Sequence, residues 1–183
     1  HGTLMRGYRR RGHLIAANIN QILIVSGFEE PGIKPALIDR YLVACEQAQI
    51  KPLLVLTKSD LLSEQDPLLE VLAEYANLGY ETLVTCANGD LSTLKARLQG
   101  ETVVFVGQSG VGKSSLINTL MPDAMQKVNE ISENSALGQH TTTSSRLMAV
   151  NPQDLSEGVL IDSPGIREFG VWHLSVEAIR AGF

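Results

Sequence analysis

The segment VVFVGQSGVGKSS at 103–115 limits the possible folds more than any other part of the chain. An apolar, β-branched run leads into a turn of Gly and Ser, and Lys-Ser-Ser then opens an apolar periodic stretch. The order is strand, glycine loop, helix. Gly107, Gly112, Lys113 and Ser114 fit the spacing G-x-x-x-x-G-K-[ST] of a phosphate-binding loop. Glycine keeps Cβ atoms away from backbone N–H groups that turn toward an anion at the positive end of a helix. Gly107, Gln108, Ser109, Gly110, Val111, Gly112, Lys113, Ser114 and Ser115 are therefore expected to wrap the phosphates of a nucleotide. Lys113 would reach the β- and γ-phosphates, and the Ser114 hydroxyl would hold Mg²⁺.

Such a loop needs a sheet behind it, and the remaining pattern supplies one. Apolar runs at 21–26, 52–57, 82–85, 103–106, 146–150 and 159–162 read as strands. Helical spacing marks 36–48, 66–78, 91–98 (with Asp90 as N-cap) and 113–120, and a last helix is expected over 175–181. In the second of these, Leu69, Leu72, Tyr75 and Ala76 should face inward. Strands alternating with helices imply a three-layer α/β fold with a mostly parallel sheet. With 183 residues, 44% of them hydrophobic, the chain can build a core on both faces.

Apolar runs are too short to span a bilayer, and no secretory leader is evident at the start. Cys45 and Cys86 make neither a metal-ligand pattern nor a disulfide framework, so reduced thiols and a cytoplasmic setting are expected. Residues 1–17 lack periodicity and read as a linker, or the end of a preceding domain, ahead of a domain at 18–183. A net charge of −5 argues against a nucleic-acid binder, yet Arg6, Arg9, Arg10, Arg11 and His13 cluster around Tyr8. That cluster is either a solvated leader or a patch for a phosphate backbone. The polar stretch 122–143 has no apolar periodicity, and a connection of that length is usually functional or mobile.

Three strand ends carry further chemistry. Asp162 closes a strand and is followed by Ser-Pro-Gly; its carboxylate can hold Mg²⁺ through water while the Gly165 N–H faces a γ-phosphate. A plain turn is the alternative there. Thr57-Lys58-Ser59-Asp60 follows another strand, where open α/β sheets bind ligands. Guanine offers an N1–H and an exocyclic amine on one edge, and one carboxylate can accept both; adenine has no such pair. Asp60 is thus the candidate base selector, with the Lys58 stem along the purine ring. Buried polar sites reject an analogue that leaves them unpaired by on the order of 10⁴-fold. Thr85-Cys86-Ala87 ends a third strand, where a backbone N–H of Cys86 or Ala87 could meet the guanine O6. A structural turn explains that last signal nearly as well.

Together these motifs resemble the translation-factor-like P-loop GTPases in a rearranged order. The base-reading pair at 57–60 and 85–87 precedes the phosphate loop, and DSPG comes last. A circularly permuted GTPase is implied. IAANINQILIV at 15–25, TKSDLL at 57–62, GQSGVGKSSLIN at 107–118, LGQHTTTSSRL at 137–147 and IDSPGIREFGVWHL at 161–174 resemble, more closely still, the ribosome small-subunit-dependent GTPase A family (RsgA, also called YjeQ). The resemblance covers residues 14–183.

It implies hydrolysis of GTP to GDP with Mg²⁺, late in maturation of the small ribosomal subunit, with the subunit and its rRNA as the stimulating partner. No membrane association and a monomer are expected. A threonine from 141–143, here taken as Thr142, would join Ser114 and Asp162 on Mg²⁺. Ile166 stands where many GTPases carry a water-orienting Gln, and the resemblance points instead to His140, which on its own reads as an ordinary loop histidine. Gly110 occupies the place of the Asn of potassium-activated GTPases, so no potassium dependence is expected by that route. The family's zinc ligands lie past the last motif and are not in this chain, and of its OB-fold only 4–13 could remain, as a final strand. Thr57 replaces the commoner Asn, so one contact to the base should differ. A P-loop kinase with a small acceptor is the alternative; the rearranged base motif and the lack of an obvious acceptor lid argue against it.

Overall fold

Sheet residues in the middle of this chain are apolar on both faces because helices cover both. The computed structural model describes residues 2–8, 11–28, 32–61, 66–122, 146–149 and 158–162. Strands β1 (Gly2–Tyr8) and β2 (Arg11–Ile19) pair as an antiparallel hairpin. The chain continues as β3 (Gln21–Gly27), α1 (Pro35–Ala48), β4 (Lys51–Thr57), α2 (Pro67–Asn77), β5 (Glu81–Val84), α3 (Ser92–Leu98), β6 (Thr102–Val106), α4 (Lys113–Leu120), β7 (Arg146–Ala149) and β8 (Val159–Asp162). Strands β3 to β8 form one sheet in the order β5-β4-β3-β6-β8-β7, parallel except at β7.

Alternation along each strand divides the apolar residues between two cores. Ile22 and Ile24 of β3, Leu54 and Leu56 of β4, and Val104 and Val106 of β6 pack with Ile38, Leu42, Cys45, Leu72 and Tyr75 from α1 and α2. Leu23 and Val25, Leu53 and Val55, and Val103 and Phe105 point the other way, onto Leu94 and Leu98 of α3 and Leu116 and Ile117 of α4. Phe105 is 0% exposed, and burying such a side chain stabilises the fold by about 1.5–3 kcal/mol.

The placement of the helices follows from handedness. From β3 the chain steps to β4 and β5 in one direction, with α1 and α2 on one face. It then returns across the sheet to β6 through α3 on the other. Crossovers between parallel strands are right-handed, so reversing direction changes the face. The reversal lies between neighbours β3 and β6. Crevices at the carboxyl ends of strands beside such a reversal are where open α/β sheets bind ligands.

Local chemistry sets the helix ends. Pro35 and Pro67 each open a helix, where no intrahelical N–H is needed. The Asp66 side chain caps α2 by accepting the Leu68 N–H at 2.9 Å. Helix α3 begins at Ser92, one residue later than its sequence pattern suggests, with Leu91 rather than Asp90 at the cap position. Asp90 still accepts the Ser92 N–H at 2.8 Å, which lowers its carboxyl below the usual range. In α2, Leu72 and Tyr75 are buried and Leu69 half-buried, but Ala76 is exposed, contrary to expectation. The third sheet strand stops at Val84, and the Thr85 N–H bonds the Leu56 carbonyl beyond it.

Residues 2–8 and 11–19, read from sequence as a linker or the end of a preceding domain, pair as a hairpin, and β2 runs through the 17/18 boundary. Two register shifts, between Gly2 and Thr3 and between Leu4 and Met5, break the two-residue period that would have revealed the strands. Asn20 stitches the hairpin to the sheet. Its N–H bonds the Thr102 carbonyl, its carbonyl accepts the Lys51 N–H, and its Oδ1 accepts the Thr102 N–H. The expected loop beyond Pro122, the helix at 175–181 and Val150 lie outside the described residues.

Both cysteines are free. Burial, helped by Glu46, pushes the Cys45 thiol up to about 12, while Cys86 is only half-buried. The thiolate is the reactive form. A colorimetric thiol reagent at neutral pH should therefore label Cys86 in the native protein and Cys45 only after denaturation. Two equally fast native thiols would contradict this packing.

Candidate nucleotide site

Strands β4, β3 and β6 are consecutive neighbours and parallel, so their carboxyl ends share one edge of the sheet. Strands lie about 4.8 Å apart, which places the end of β4 about 10 Å from the end of β6. The tetrad at 57–60 leaves β4 there, and the loop at 107–112 leaves β6 there.

The loop starts where only glycine fits. Gly107 has φ +142°, and a Cβ on it would lie 2.2 Å from the Val25 carbonyl oxygen of β3. Gly112, at φ +93°, caps α4, and a Cβ there would approach Thr57 Oγ1 at 3.3 Å. The first turn of α4 follows at Lys113 and Ser114, so the free N–H groups and positive end of the helix open toward the loop. Lys113 folds back over it, donating from Nζ to the Gly107 carbonyl at 2.7 Å and the Gln108 carbonyl at 2.5 Å. An ammonium held on two neutral carbonyls is placed to meet a stronger anionic acceptor at the same spot. Ser109, Gly110, Ser114 and Ser115 are exposed, and Gln108 and Gly112 are half-buried.

Thr57 joins the two halves of the site. It is 2% exposed, and its hydroxyl donates to the Val111 carbonyl at 2.5 Å, with the Ser26 carbonyl also within reach at 3.2 Å. The shorter β-branched alcohol thus spends its hydrogen on the loop backbone. Lys58 follows with φ +62°, a left-handed conformation uncommon for a residue with a side chain. That bend turns the chain into the single 3₁₀ turn Ser59–Leu61, where Asp60 is exposed. The Ser59 N–H bonds the Thr85 carbonyl at 3.2 Å, which brings the loop carrying Cys86 and Ala87 against the tetrad.

Asp162 ends β8, opposite Phe105 of β6 in the parallel register, so its position shares the loop's edge of the sheet. His140, Thr142 and Gly165 lie outside the described residues. Among those described, no group of His, Cys, Asp and Glu is clustered to hold a metal ion. Sequence reasoning overlooked Val25 and Ser26, whose carbonyls meet Gly107 and Thr57. Backbone acceptors carry no side-chain signature, and the only cue was the Ser-Gly pair ending β3.

A family model described as RsgA GTPase matches residues 1–172. A protein named small ribosomal subunit biogenesis GTPase RsgA, from Haemophilus influenzae (strain PittGG), is 52% identical over 173 residues, covering 92% of this chain and 49% of its own. The protein of the same name from Actinobacillus pleuropneumoniae serotype 5b (strain L20) is 52% identical over 174 residues, covering 93% and 49%. The chain therefore spans about half the length of the curated relatives it matches. Among solved structures, YjeQ from Thermotoga maritima superposes with a TM-score of 0.71 at 26% identity, covering all of this chain and 59% of that one. YloQ, described as a circularly permuted GTPase, gives 0.66 at 26% identity, covering 99% and 61%.

Thr57→Val keeps the shape of the side chain and strands the Val111 carbonyl. Leaving a buried acceptor unpaired costs about 1–3 kcal/mol. Denaturant unfolding should show that loss, and nucleotide affinity should fall with it. Unchanged stability and affinity would mean that the tetrad and the loop are not coupled through this hydroxyl.

Proposed function

This chain belongs to the RsgA GTPase family, and on that footing we propose that it binds GTP, hydrolyses it to GDP and phosphate, and works as a switch in late maturation of the small ribosomal subunit. The observation that supports this reading best is the Thr57–Val111 bond, which ties the segment 57–60, proposed to read the base, to the loop at 107–112, proposed to hold the phosphates. The circularly permuted α/β fold with a parallel sheet, which the chain shares with its structural neighbours, agrees with it. Family membership weighs against the small-acceptor kinase.

In this reading, backbone amides of 107–115 and the Lys113 ammonium hold the β- and γ-phosphates. Asp60 accepts the N1–H and amine of guanine, Lys58 lies along the ring, Ser59 closes the turn beneath Asp60, and Cys86 or Ala87 meets O6. Thr57 acts one step back by fixing the loop. Ser114 and Asp162, with Thr142, would hold Mg²⁺, which when bound supplies charge neutralisation across the phosphate oxygens; the ends of α4 and β8 that carry Ser114 and Asp162 lie on one edge of the sheet, which fits such an ion. His140 orients the water that attacks the γ-phosphorus while GDP leaves, and Gly165 offers its N–H to the γ-phosphate. No zinc site is assigned to this chain.

The small subunit and its rRNA are the proposed partners, and the hairpin is the proposed contact. Its register sets Arg6 opposite His13 and Tyr8 opposite Arg11, and the sequence adds Arg9 and Arg10. The amino edge where Asn20 ties this hairpin to β3, β4 and β6 is the route by which docking would reach the site. No helix among the described residues is long and apolar enough to cross a membrane, and a monomeric cytoplasmic factor is the setting we propose.

Single-turnover hydrolysis of GTP by the complete protein, with and without small subunits, tests the switch; no acceleration by subunits would overturn it. Base selection has its own test in Asp60→Asn. The amide should weaken GTP and favour XTP, reversing a preference on the order of 10⁴-fold. An unchanged GTP-to-XTP ratio would remove Asp60 from the role.

A further inference from the structure

The amino edge of the sheet, opposite the nucleotide crevice, carries a cleft of about 520 Å³ with Glu46, Lys51, Glu81, Arg97 and Glu101 in its walls. Register sets Gln21 beside Lys51 and Val103, and Glu81 beside Leu53. Side chains alternate along a strand, so Gln21, Lys51 and Glu81 share the face of Leu23, Leu53 and Leu83, which α3 covers. Ala96 and Arg97 of α3 close the cleft on that side. Gln21 is the unusual member. It opens β3, it is 7% exposed, and its Oε1 is buried with no hydrogen-bond partner. A leucine would fill that place without the penalty of an unpaired acceptor. An acceptor kept there points to a donor that arrives from outside.

The charges agree on the sign of that donor. Arg97 is taken up by Glu81 in an ion pair, which leaves Glu46 and Glu101 against an exposed Lys51. Helices α1 and α2 both end at this edge, and neither has a basic residue in its last turn. Their negative ends add to the carboxylates. Beside the charges the cleft has an apolar strip, with Pro52 and a Leu78 that is 72% exposed.

We propose that this cleft is a second binding site and that it takes an alkylammonium cation, its N–H donors on Gln21 Oε1 and the Glu46 and Glu101 carboxylates, its aliphatic chain along Leu78 and Pro52. An ammonium is compact and carries three donors, so it can bond an amide oxygen and a carboxylate together. An anion would meet three carboxylates and two helix ends of its own sign. The volume is that of a small-molecule site. A free polyamine and a lysine side chain of a bound protein offer the same group. The cleft lies at the edge of the sheet away from 57–60 and 107–112, so the inference does not rest on the nucleotide reading.

Calorimetric titration of the complete, nucleotide-free protein with spermidine, and separately with trilysine, tests it. A single saturable site is expected for at least one of them. Binding of spermidine alone identifies a free polyamine, binding of trilysine alone a partner's lysine, and binding of both the shared ammonium. Glu46→Gln and Glu101→Gln keep the side-chain shape and should each raise Kd by about 2- to 5-fold, the range of exposed ion pairs. Gln21→Leu should raise it by about 10-fold, the worth of a hydrogen bond to a charged group. The same variant, without ligand, should unfold at or above the wild-type temperature, because the lost oxygen bonded nothing. Glu74→Gln removes an equal charge from an exposed position outside the cleft and should leave Kd near wild type. No saturable binding of either cation would overturn the proposal, as would a loss in Glu74→Gln equal to that in Glu46→Gln and Glu101→Gln. Should Gln21→Leu fail to fold, those two glutamate variants decide the matter alone.

Discussion

The phosphate loop is fastened at points beyond its own strand. Gly107 lies so close to the Val25 carbonyl that no side chain could stand there, and the Val111 carbonyl takes the Thr57 hydroxyl. The loop therefore springs from β6 but is held by the ends of β3 and β4. Those three strands are aligned by their register and by the burial of Leu23, Val25, Leu53, Val55, Val103 and Phe105 on one face. Core packing and site geometry are one problem in this molecule. A change that slides β4 against β3 would move Asp60 away from the loop, even with every motif residue intact.

Circular permutation changes the order of the chain and leaves those contacts alone. Ladder bonds and carboxyl-end crevices depend on which strands are neighbours, and the order β5-β4-β3-β6-β8-β7 keeps the carboxyl ends of β4 and β6, with the segments 57–60 and 107–112, together. What the order does change is the entry to the sheet. β2 passes into β3 through Asn20, whose backbone and side chain bond the starts of β4 and β6 as well. The basic hairpin is thus joined to the three strands that carry the site, at the edge opposite it.

Much of this was legible in the sequence because doubly covered parallel strands are continuous apolar runs. Six strands and four helices emerged from that pattern with boundaries within a residue or so, as Lys113–Leu120 and Val159–Asp162 show. Other features had no comparable signal. The hairpin hides behind two register shifts and a run of arginines. The exchange of Asn for Thr at 57 is visible, but its partner is a backbone carbonyl 54 residues on, which no pattern announces. Lys58 adopts a left-handed backbone with no local cue, since lysine is a poor residue for it.

The central claim is that one crevice reads both ends of one nucleotide. Crystals of the complete protein grown with GDP and Mg²⁺ test it most directly. The account predicts a single nucleotide across the ends of β4, β3 and β6, its phosphates on the amides of 107–115 and the Asp60 carboxylate at the N1 edge of guanine. A diphosphate seated on the loop with its base turned away from Asp60 would contradict it.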